Sequence, residues 1–521
     1  MKEELLDKEV LAMYDVRGIQ NYIFRTNRIK EIKGASLIID NIIVNGLKDI
    51  IKKKNWPEDK YITDWKDKSG EMEFLSNPQI EMQVMYIGGG NAYVLYRSGR
   101  ICKEINRALA EYVFFNTYSL RLAVAVVEKT DEYFDDYYKI TQEMRRVKAE
   151  MSNCDPVGAF PFMKIDNVTG YPLTEQIRSG ETEILSTESA LKRKMYSKNC
   201  NDRQAKELDS LVTEKSENSM LAVVHIDGNN MGKRIGMIMQ SLKNSHTNYE
   251  KITGVVRGIS SSIDRSFRES LEKTFTYIKR DLSSLIDPKR KIILYREIIR
   301  AGDDITFVCN AKVAIEAVKF FLSDISKRKI TYIIDEEKKE DAFPFSACAG
   351  IAFFHSHFPF SDAYEVAEAC CGNAKKWAKE EKHKGAQEQI GNFFDFQVCG
   401  TISAKDLGAY REKHYVIPQQ NGNVETIIHR PYYVENEDPE LKELNKKNED
   451  HSAQILTDLI KFFNDSDNLP RNQAKTLREA CAKGSEERTN YEVFLESRQR
   501  KLPGNKENWY DSLELADIYV G

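Results

Sequence analysis

The chain has 521 residues, of which 41% are hydrophobic and 30% charged, and its formal net charge at pH 7 is −4. This length exceeds what one compact core usually supports, so two to four domains are expected. The small net charge excludes a globally basic nucleic-acid surface, although local basic patches are compatible with it. No apolar run reaches the length of a membrane span, and the nine cysteines form no Cys-x-x-Cys pair. We therefore predict a cytoplasmic protein with reduced thiols and no membrane association.

The amino-terminal part of the chain predicts one α+β module. An apolar strand ends at Asp15 and is followed by a basic helix. Next come two strands joined by the turn Gly88-Gly89-Gly90-Asn91, a second helix and a further apolar strand. The backbone N–H groups of Gly89 and Gly90 are candidates for contact with phosphate, and a simple hairpin turn is the equally weighted alternative.

A connector follows the first module. Its Pro and Gly residues predict turns and a short hairpin. Cys154 and Cys200 lack the neighbouring cysteines that a structural zinc ion would need, so no zinc site is predicted. The basic run from Lys192 to Lys206 predicts a solvated helix face in preference to a nucleic-acid contact.

The next part of the chain repeats the order of the first module. An apolar strand ends at Asp227, and a later hairpin has the turn Ala301-Gly302-Asp303-Asp304, in which Gly302 supplies the unusual backbone angles. The spacing agrees with the first module, since 75 residues separate Asp15 from Gly90 and 76 separate Asp227 from Asp303. We interpret this as an internal duplication, with two unrelated α+β modules as the alternative.

Three carboxylates are predicted to meet at one edge of the second sheet if its first strand neighbours the hairpin. They belong to Asp227, Asp303 and Asp304. Carboxylate oxygens are the ligands that Mg²⁺ prefers, and paired divalent ions promote phosphoryl transfer. The Asp-Asp pair alone would favour a solvated hairpin turn, and its combination with Asp227 favours a metal site.

The motifs Asp227-Gly-Asn-Asn-Met-Gly-Lys233 and Ala301-Gly-Asp-Asp304 resemble the second palm of the large subunit of type III CRISPR effector complexes (Cmr/Csm type). The GGDEF diguanylate cyclases are more distant relatives. The resemblance implies an α+β fold with two ferredoxin-like (βαββαβ) palm domains in tandem and a C-terminal helical domain. Ala301 replaces the first Gly of the usual Gly-Gly-Asp-Asp motif. The chain contains no His-Asp dipeptide, so we do not expect the HD nuclease domain of many such subunits.

The resemblance also sets the expected domain limits. They are residues 1–150 for a first, non-catalytic palm, 151–218 for the connector, 219–398 for a second palm with the Gly-Asp-Asp site, and 399–521 for the helical domain. The first palm is expected to be non-catalytic because Gly90 and Asn91 stand where the carboxylates would be.

The expected ligand contacts follow from the same resemblance. Asp227, Asp303 and Asp304 would carry catalysis and hold Mg²⁺ or Mn²⁺, and Gly302 would lie against the nucleotide. The closing helix would direct its lysines at the triphosphate; these are Lys375 and Lys379, with Lys376 as the alternative.

A further phosphate contact is suggested by the residues at the start of the first helix of the second module. Lys233 and Arg234 stand where free N–H groups and a cation could receive phosphate oxygens. An exposed first-turn pair is the equally weighted alternative.

Three functions remain open from the sequence. The first is a nucleotidyltransferase of the oligoadenylate cyclase type, which converts ATP into cyclic oligonucleotide messengers in CRISPR-type antiviral defence. Its implied partners are RNA and the small subunits of an effector complex, and a homodimer is compatible with it. The second is a catalytically idle RNA-binding or structural subunit. The third is a GGDEF-like cyclase that uses GTP.

Overall fold

The computed structural model describes residues 3–65, 72–88, 91–151, 160–179, 181–199, 208–212, 219–286, 293–385, 388–400, 406–418, 423–438 and 441–519. Gly89 and Gly90, and Cys154 and Cys200 with the zinc prediction that concerns them, lie outside these residues. Within the described part, the chain forms two principal β-sheets, a connector between them and a helical C-terminal region.

The first sheet has the strand order of a ferredoxin-like palm, because β1 lies between β4 and β5 and is antiparallel to both. The full order is β2-β3-β4-β1-β5. The elements are β1 (Val10–Arg17), α1 (Ile19–Phe24), α2 (Ile29–Ile39), α3 (Ile42–Lys53), β2 (Tyr61–Ile62), α4 (Glu73–Ser76), β3 (Met82–Gly88), β4 (Asn91–Tyr96), α5 (Gly99–Thr117), β5 (Arg121–Glu128) and α6 (Tyr133–Glu150).

The connector forms a hairpin and a helix that is anchored in the first palm. Its elements are β6 (Leu173–Ser179), β7 (Glu181–Ser186) and α7 (Thr187–Asn199). The Lys192 side chain is fully buried; its Nζ donates to the carbonyl of Tyr22 at 2.6 Å and pairs with Glu188 at 2.5 Å. The prediction of a solvated face was therefore wrong for Lys192. The cause is a carboxylate four residues earlier that accompanies the ammonium into the interior.

The second sheet repeats the palm order and extends it, with the strands arranged β17-β14-β13-β8-β10-β9. Its four palm strands β9-β10-β8-β13 have the same order as β3-β4-β1-β5 of the first sheet, as the duplication predicted. The elements are β8 (Met220–Gly228), α8 (Met231–Asn244), α9 (Tyr249–Tyr277), α10 (Ser283–Ile286), β9 (Tyr295–Ala301), β10 (Asp304–Asn310), α11 (Ala314–Ile325), β11 (Lys329–Ile334), β12 (Glu337–Pro344), β13 (Ala347–His355), α12 (Phe360–Ala378) and β14 (Asn392–Val398).

The C-terminal region is helical, as predicted, but it also contributes β17 to the second sheet through pairing with β14. A separate apolar cluster that includes Leu477, Leu495 and Trp509 holds its helices together. The elements are α13 (Leu407–Tyr415), β15 (Val416–Pro418), β16 (Val424–Thr426), β17 (Tyr432–Val434), α14 (Lys442–Lys447), α15 (Ala453–Asn464), α16 (Arg471–Cys481), α17 (Ser485–Ser497) and α18 (Trp509–Leu515).

The two palms contact each other through equivalent helices. The Phe24 ring of α1 stacks on the Tyr364 ring of α12, with centroids 3.7 Å apart. In the reverse direction, Lys243 of α8 lies over the Phe134 ring of α6 at 5.9 Å. Because α8 occupies in the second palm the position of α1 in the first, and α12 that of α6, the palms exchange matching contacts. The two palms are therefore joined by helix contacts that correspond between the two copies.

Candidate active site

The register of the second sheet positions two of the predicted carboxylates. Strands β8 and β10 pair so that Asp227 stands directly opposite Asp304. Side chains of directly opposite residues project from the same face of a sheet. The turn between β9 and β10 contains Gly302 at φ +65°, a backbone angle that glycine adopts without strain. The predicted hairpin is thus present, with Asp227 beside its second Asp.

Asp303 lies in the turn itself and leans over the end of β8. A Cβ atom placed on Gly228 would come within 2.8 Å of the Asp303 carboxylate oxygen Oδ2. Gly228 therefore provides the space in which the Asp303 carboxylate lies. The three predicted acids consequently come from one sheet edge, as the sequence indicated.

Lys375 contacts the carboxylate of Asp227. Its Nζ ion-pairs with Asp227 and donates to the carbonyl of Gly228 at 2.9 Å. With the side chains in this arrangement, no group of three His, Cys, Asp or Glu residues in the described part of the chain could hold a metal ion. The ammonium group of Lys375 therefore neutralises the charge of Asp227 in this arrangement.

Burial and the proximity of the site's carboxylates to one another raise the pKa values of two of them. Burial, followed by the charge of Asp227 and then that of Asp303, raises the pKa of Asp304 to about 7. Burial and the charge of Asp227 raise the pKa of Asp303 to about 6. The Asp304 oxygen Oδ1 is also buried without a hydrogen-bond partner. Mg²⁺ and Mn²⁺ prefer oxygen ligands, and a buried carboxylate oxygen that lacks a hydrogen-bond partner and lies near other carboxylates is suited to bind such an ion.

Two residues that the sequence reasoning missed flank Asp304. His225 lies two positions before Asp227 on the same sheet face; its Nδ1 is 3.1 Å from the Thr306 hydroxyl and 3.5 Å from Asp304. Burial lowers the pKa of His225 to about 4, so the ring is neutral near pH 7. Glu368 of α12 adds a further negative charge near Asp304. Strand alternation from Asp227, and helical spacing back from Lys375, are the signals that could have found them.

The other predicted lysines lie apart from this group. Lys233 ion-pairs with Glu388 and lines a different cavity of about 340 Å³, on the other side of α8. Lys379 is exposed at the C-terminal end of α12. Among the described residues, no contact joins either lysine to the three carboxylates, so their roles in phosphate binding stay predictions.

A cavity of about 470 Å³ opens between the two palms beside the hairpin turn. The second palm lines it with Ala301, Gly302 and Asp303, and the first palm with residues that include Tyr86 and Asn91. Its volume lies within the range of sites that enclose small molecules. The turn thus faces a space that both palms build.

The first palm retains part of the same arrangement. Asp15 stands opposite Asn91 in the β1–β4 pairing, as Asp227 stands opposite Asp304. Lys148 of α6 ion-pairs with Asp15, as Lys375 of α12 does with Asp227. The duplication therefore extends from the strand order to an Asp–Lys pair in each palm.

The comparison with protein families agrees with this geometry. Residues 220–387 match the family model described as Cas10/Cmr2, second palm domain. The second palm of this chain belongs to the Cas10/Cmr2 family. The matched residues include all three carboxylates and Lys375, whereas the first palm and the C-terminal region lie outside them.

Solved structures with low sequence identity are also similar to the chain. Crystal structures of a Csm1-Csm4 cassette in complex with cA4 and with AMPPNP give TM-scores of 0.47 and 0.46 at 12% identity, over 98% of this chain and 70% of theirs. A crystal structure of Csm1 in T. onnurineus gives 0.45 at 12% identity, over 98% of this chain and 69% of that one. No curated protein matches the sequence. In the part of the chain that the structure describes, no helix is long and apolar enough to cross a membrane.

Proposed function

We propose that the chain is a metal-dependent nucleotidyltransferase that joins ATP into cyclic oligonucleotides, as a component of CRISPR-type antiviral defence. The observation that carries this proposal is the register of β8 and β10, which sets Asp227 opposite Asp304 with Asp303 in the adjoining turn. The membership of this palm in the Cas10/Cmr2 family supports the same reaction class.

In this proposal Asp227, Asp303 and Asp304 hold Mg²⁺ or Mn²⁺. A metal held there would supply activation of the attacking ribose hydroxyl and stabilisation of the leaving pyrophosphate oxygen. Lys375 releases Asp227 and receives the triphosphate instead, because its flexible ammonium already lies between that carboxylate and the Gly228 carbonyl. His225 stays neutral and keeps Asp304 oriented from within the sheet.

The first palm holds a second nucleotide without catalysing the reaction. Asp15 and Lys148 supply one carboxylate and one cation, but Asn91 offers no charge where the second palm has Asp304. A single carboxylate cannot hold a pair of divalent ions, whereas the Lys148 ammonium beside it can attract a phosphate group. Gly89 and Gly90 are the proposed backbone contacts, and the cavity between the palms is the proposed space for both nucleotides.

The wider context also belongs to this proposal. We infer that RNA and small subunits of an effector complex are the partners, that the protein works in the cytoplasm, and that the C-terminal region from residue 399 serves as a helical domain. A homodimer is compatible with this proposal, and a measurement of the molecular mass in solution tests for it.

A structural subunit with an idle palm is the second candidate, and two observations favour it. Lys375 forms an ion pair with Asp227, and Ala301 replaces the first Gly of the usual Gly-Gly-Asp-Asp motif. An idle subunit would bind RNA and give no product with any nucleotide.

The decisive experiment incubates the full chain with each labelled nucleoside triphosphate, with Mg²⁺ or Mn²⁺, and with or without RNA. We expect a cyclic product from ATP that disappears in Asp303→Ala/Asp304→Ala. The matched control is Asp335→Ala in the β11–β12 turn, another Asp in a tight turn of the same palm, which should keep activity. Product from GTP alone would support a GGDEF-like cyclase, and no product under any condition would support the idle subunit.

A further inference from the structure

Helix α9 of the second palm reaches the first palm through a buried arginine. Arg257 is only 2% exposed, and its guanidinium donates to two successive carbonyls of β3. Nη2 donates to Val84 O at 2.8 Å, and Nε donates to Met85 O. One turn further along α9, the Ser260 hydroxyl donates to Ile87 O at 3.3 Å. The guanidinium group of Arg257 in the second palm therefore hydrogen-bonds the backbone of the first palm at two carbonyls.

The receiving strand is irregular at this place. The pairing of β3 with β4 shifts register between Val84 and Tyr86, so Met85 is a bulge residue. On its other side, β3 pairs with β2 only at Met82 and Gln83. Backbone carbonyls beyond that point need partners when they are buried. Arg257 and Ser260 supply them from α9.

This contact specifies geometry more than it adds stability. Burial lowers the pKa of Arg257 to about 10, which leaves the group charged at neutral pH inside the protein. Burying a charge is costly, and an apolar contact of similar size is often at least as stabilising. A planar guanidinium that bridges two carbonyls fixes distance and angle as an apolar side chain cannot.

Helix α9 is also held from its opposite side. A Cβ atom on Gly258, the residue after Arg257, would lie 3.3 Å from the Cα atom of Tyr332 in β11. The helix is therefore packed between β11 of its own palm and β3 of the first palm. It has little freedom to follow β3 if that strand moves.

The helix and the strand joined by Arg257 form adjoining walls of the cavity between the palms. Val256, Ile259 and Ile263 line it from α9, and Tyr86 and Ile87 line it from β3. The hydrogen bonds from Arg257 to the carbonyls of Val84 and Met85 therefore keep α9 and β3 in a fixed position relative to each other.

We propose that Arg257 is a positioning residue that fixes the shape of the cavity between the palms where α9 meets β3, and so determines how well a nucleotide is held there. The inference rests on the proposed function, because it takes the cavity as the nucleotide site. Arg257 touches none of the three carboxylates in the described structure. Its loss should weaken nucleotide binding while the metal site keeps its affinity.

The test compares Arg257→Met, which keeps length but loses all donors, with Arg257→Lys, which keeps charge but loses the fork. Lys251→Ala on the exposed face of the same helix is the matched control. We expect Arg257→Met to bind a non-hydrolysable ATP analogue about tenfold more weakly in calorimetry, as expected for a small misplacement of a binding wall. Mn²⁺ affinity, measured by electron paramagnetic resonance, should stay unchanged, and the KM for ATP should rise more than kcat falls. If Arg257→Met does not fold, Arg257→Lys should give the same pattern with a smaller loss.

Equal analogue affinity in the folded variants and the wild type would overturn the proposal. So would parallel losses of analogue and Mn²⁺ binding, because they indicate general destabilisation. If the wild type binds no nucleotide, the proposed function fails, and amide hydrogen exchange then tests the positioning separately. Faster exchange confined to residues 82–88 in Arg257→Met would support it, and unchanged exchange there would overturn it.

Discussion

Replacing Lys375 by Met should separate competition for the metal from contact with the nucleotide. Asp227 and Asp304 are opposite residues of an antiparallel pair, whose Cβ atoms are typically about 5 Å apart. Two carboxylates at that distance repel by about 3 kcal/mol at an effective dielectric constant of about 20 when both are ionised, which for Asp304 requires a pH above its raised pKa of about 7. The Asp227 side chain is 40% exposed, so solvent screening reduces the contribution of Lys375 to about 1–2 kcal/mol.

The metal-free Lys375→Met protein should therefore unfold in urea with a free energy about 1–2 kcal/mol lower than the wild type. Its Mn²⁺ affinity should rise by about 5- to 30-fold, the same energy expressed as a binding constant, because the competing ammonium is gone. ATP turnover should nevertheless fall, since the phosphate contact is lost.

Lys379→Met is the matched control, one turn further along α12 and exposed. It should leave both the unfolding free energy and the Mn²⁺ affinity unchanged. A Lys375→Met protein whose Mn²⁺ affinity stays the same or falls would refute competition between the ammonium and a cation at Asp227.

Three further changes test other parts of the molecule. Asn91→Asp places a carboxylate opposite Asp15, and we expect one additional Mn²⁺ per chain in calorimetry, with Asn91→Leu as the control that adds none. Lys192→Met removes the closer of the two cations that pair with the buried Glu188 carboxylate and leaves Arg25, at 3.4 Å, in place. The loss in urea unfolding should therefore fall below the roughly 3–5 kcal/mol of a wholly unpaired buried charge, and Lys192→Met/Glu188→Gln should recover most of it. Burial lowers the pKa of His451 to about 4, below the ordinary value of 6.5. Its contribution to stability should be complete above pH 6.5 and decline as the pH falls toward 4, whereas His451→Leu should lack this part of the pH dependence in urea midpoints.

The hairpin was predictable because its signals are local. Gly302 and the acids next to it define a turn within four residues, and the apolar run before Asp227 defines a strand. Their pairing required one further assumption, namely that the second module repeats the first. The nearly equal spacing in the two modules supplied it, and the observed strand orders confirm the duplication.

The rest of the site depends on tertiary packing that no local pattern encodes. Glu368 approaches Asp304 only because α12 crosses the face of the sheet that carries His225, with the Tyr364 ring 5.7 Å from that histidine. Arg257 looks like any charged residue of a long helix until β3 of the first palm is seen beside it. The burial of Lys192 likewise depends on a tertiary partner, the carbonyl of Tyr22.

The difference between the two palms can be argued from charge alone. In the first palm one carboxylate, Asp15, meets one ammonium, Lys148, and the local charge is balanced without a cation. In the second palm the same ammonium position faces the carboxylates of Asp227, Asp303 and Asp304, which exceed it in charge. The excess is what raises the pKa of Asp304 beyond the effect of burial, and a divalent cation would relieve it. The two copies thus differ in charge: the acids of the second palm favour a bound metal, whereas the Asp–Lys pair of the first is already neutral.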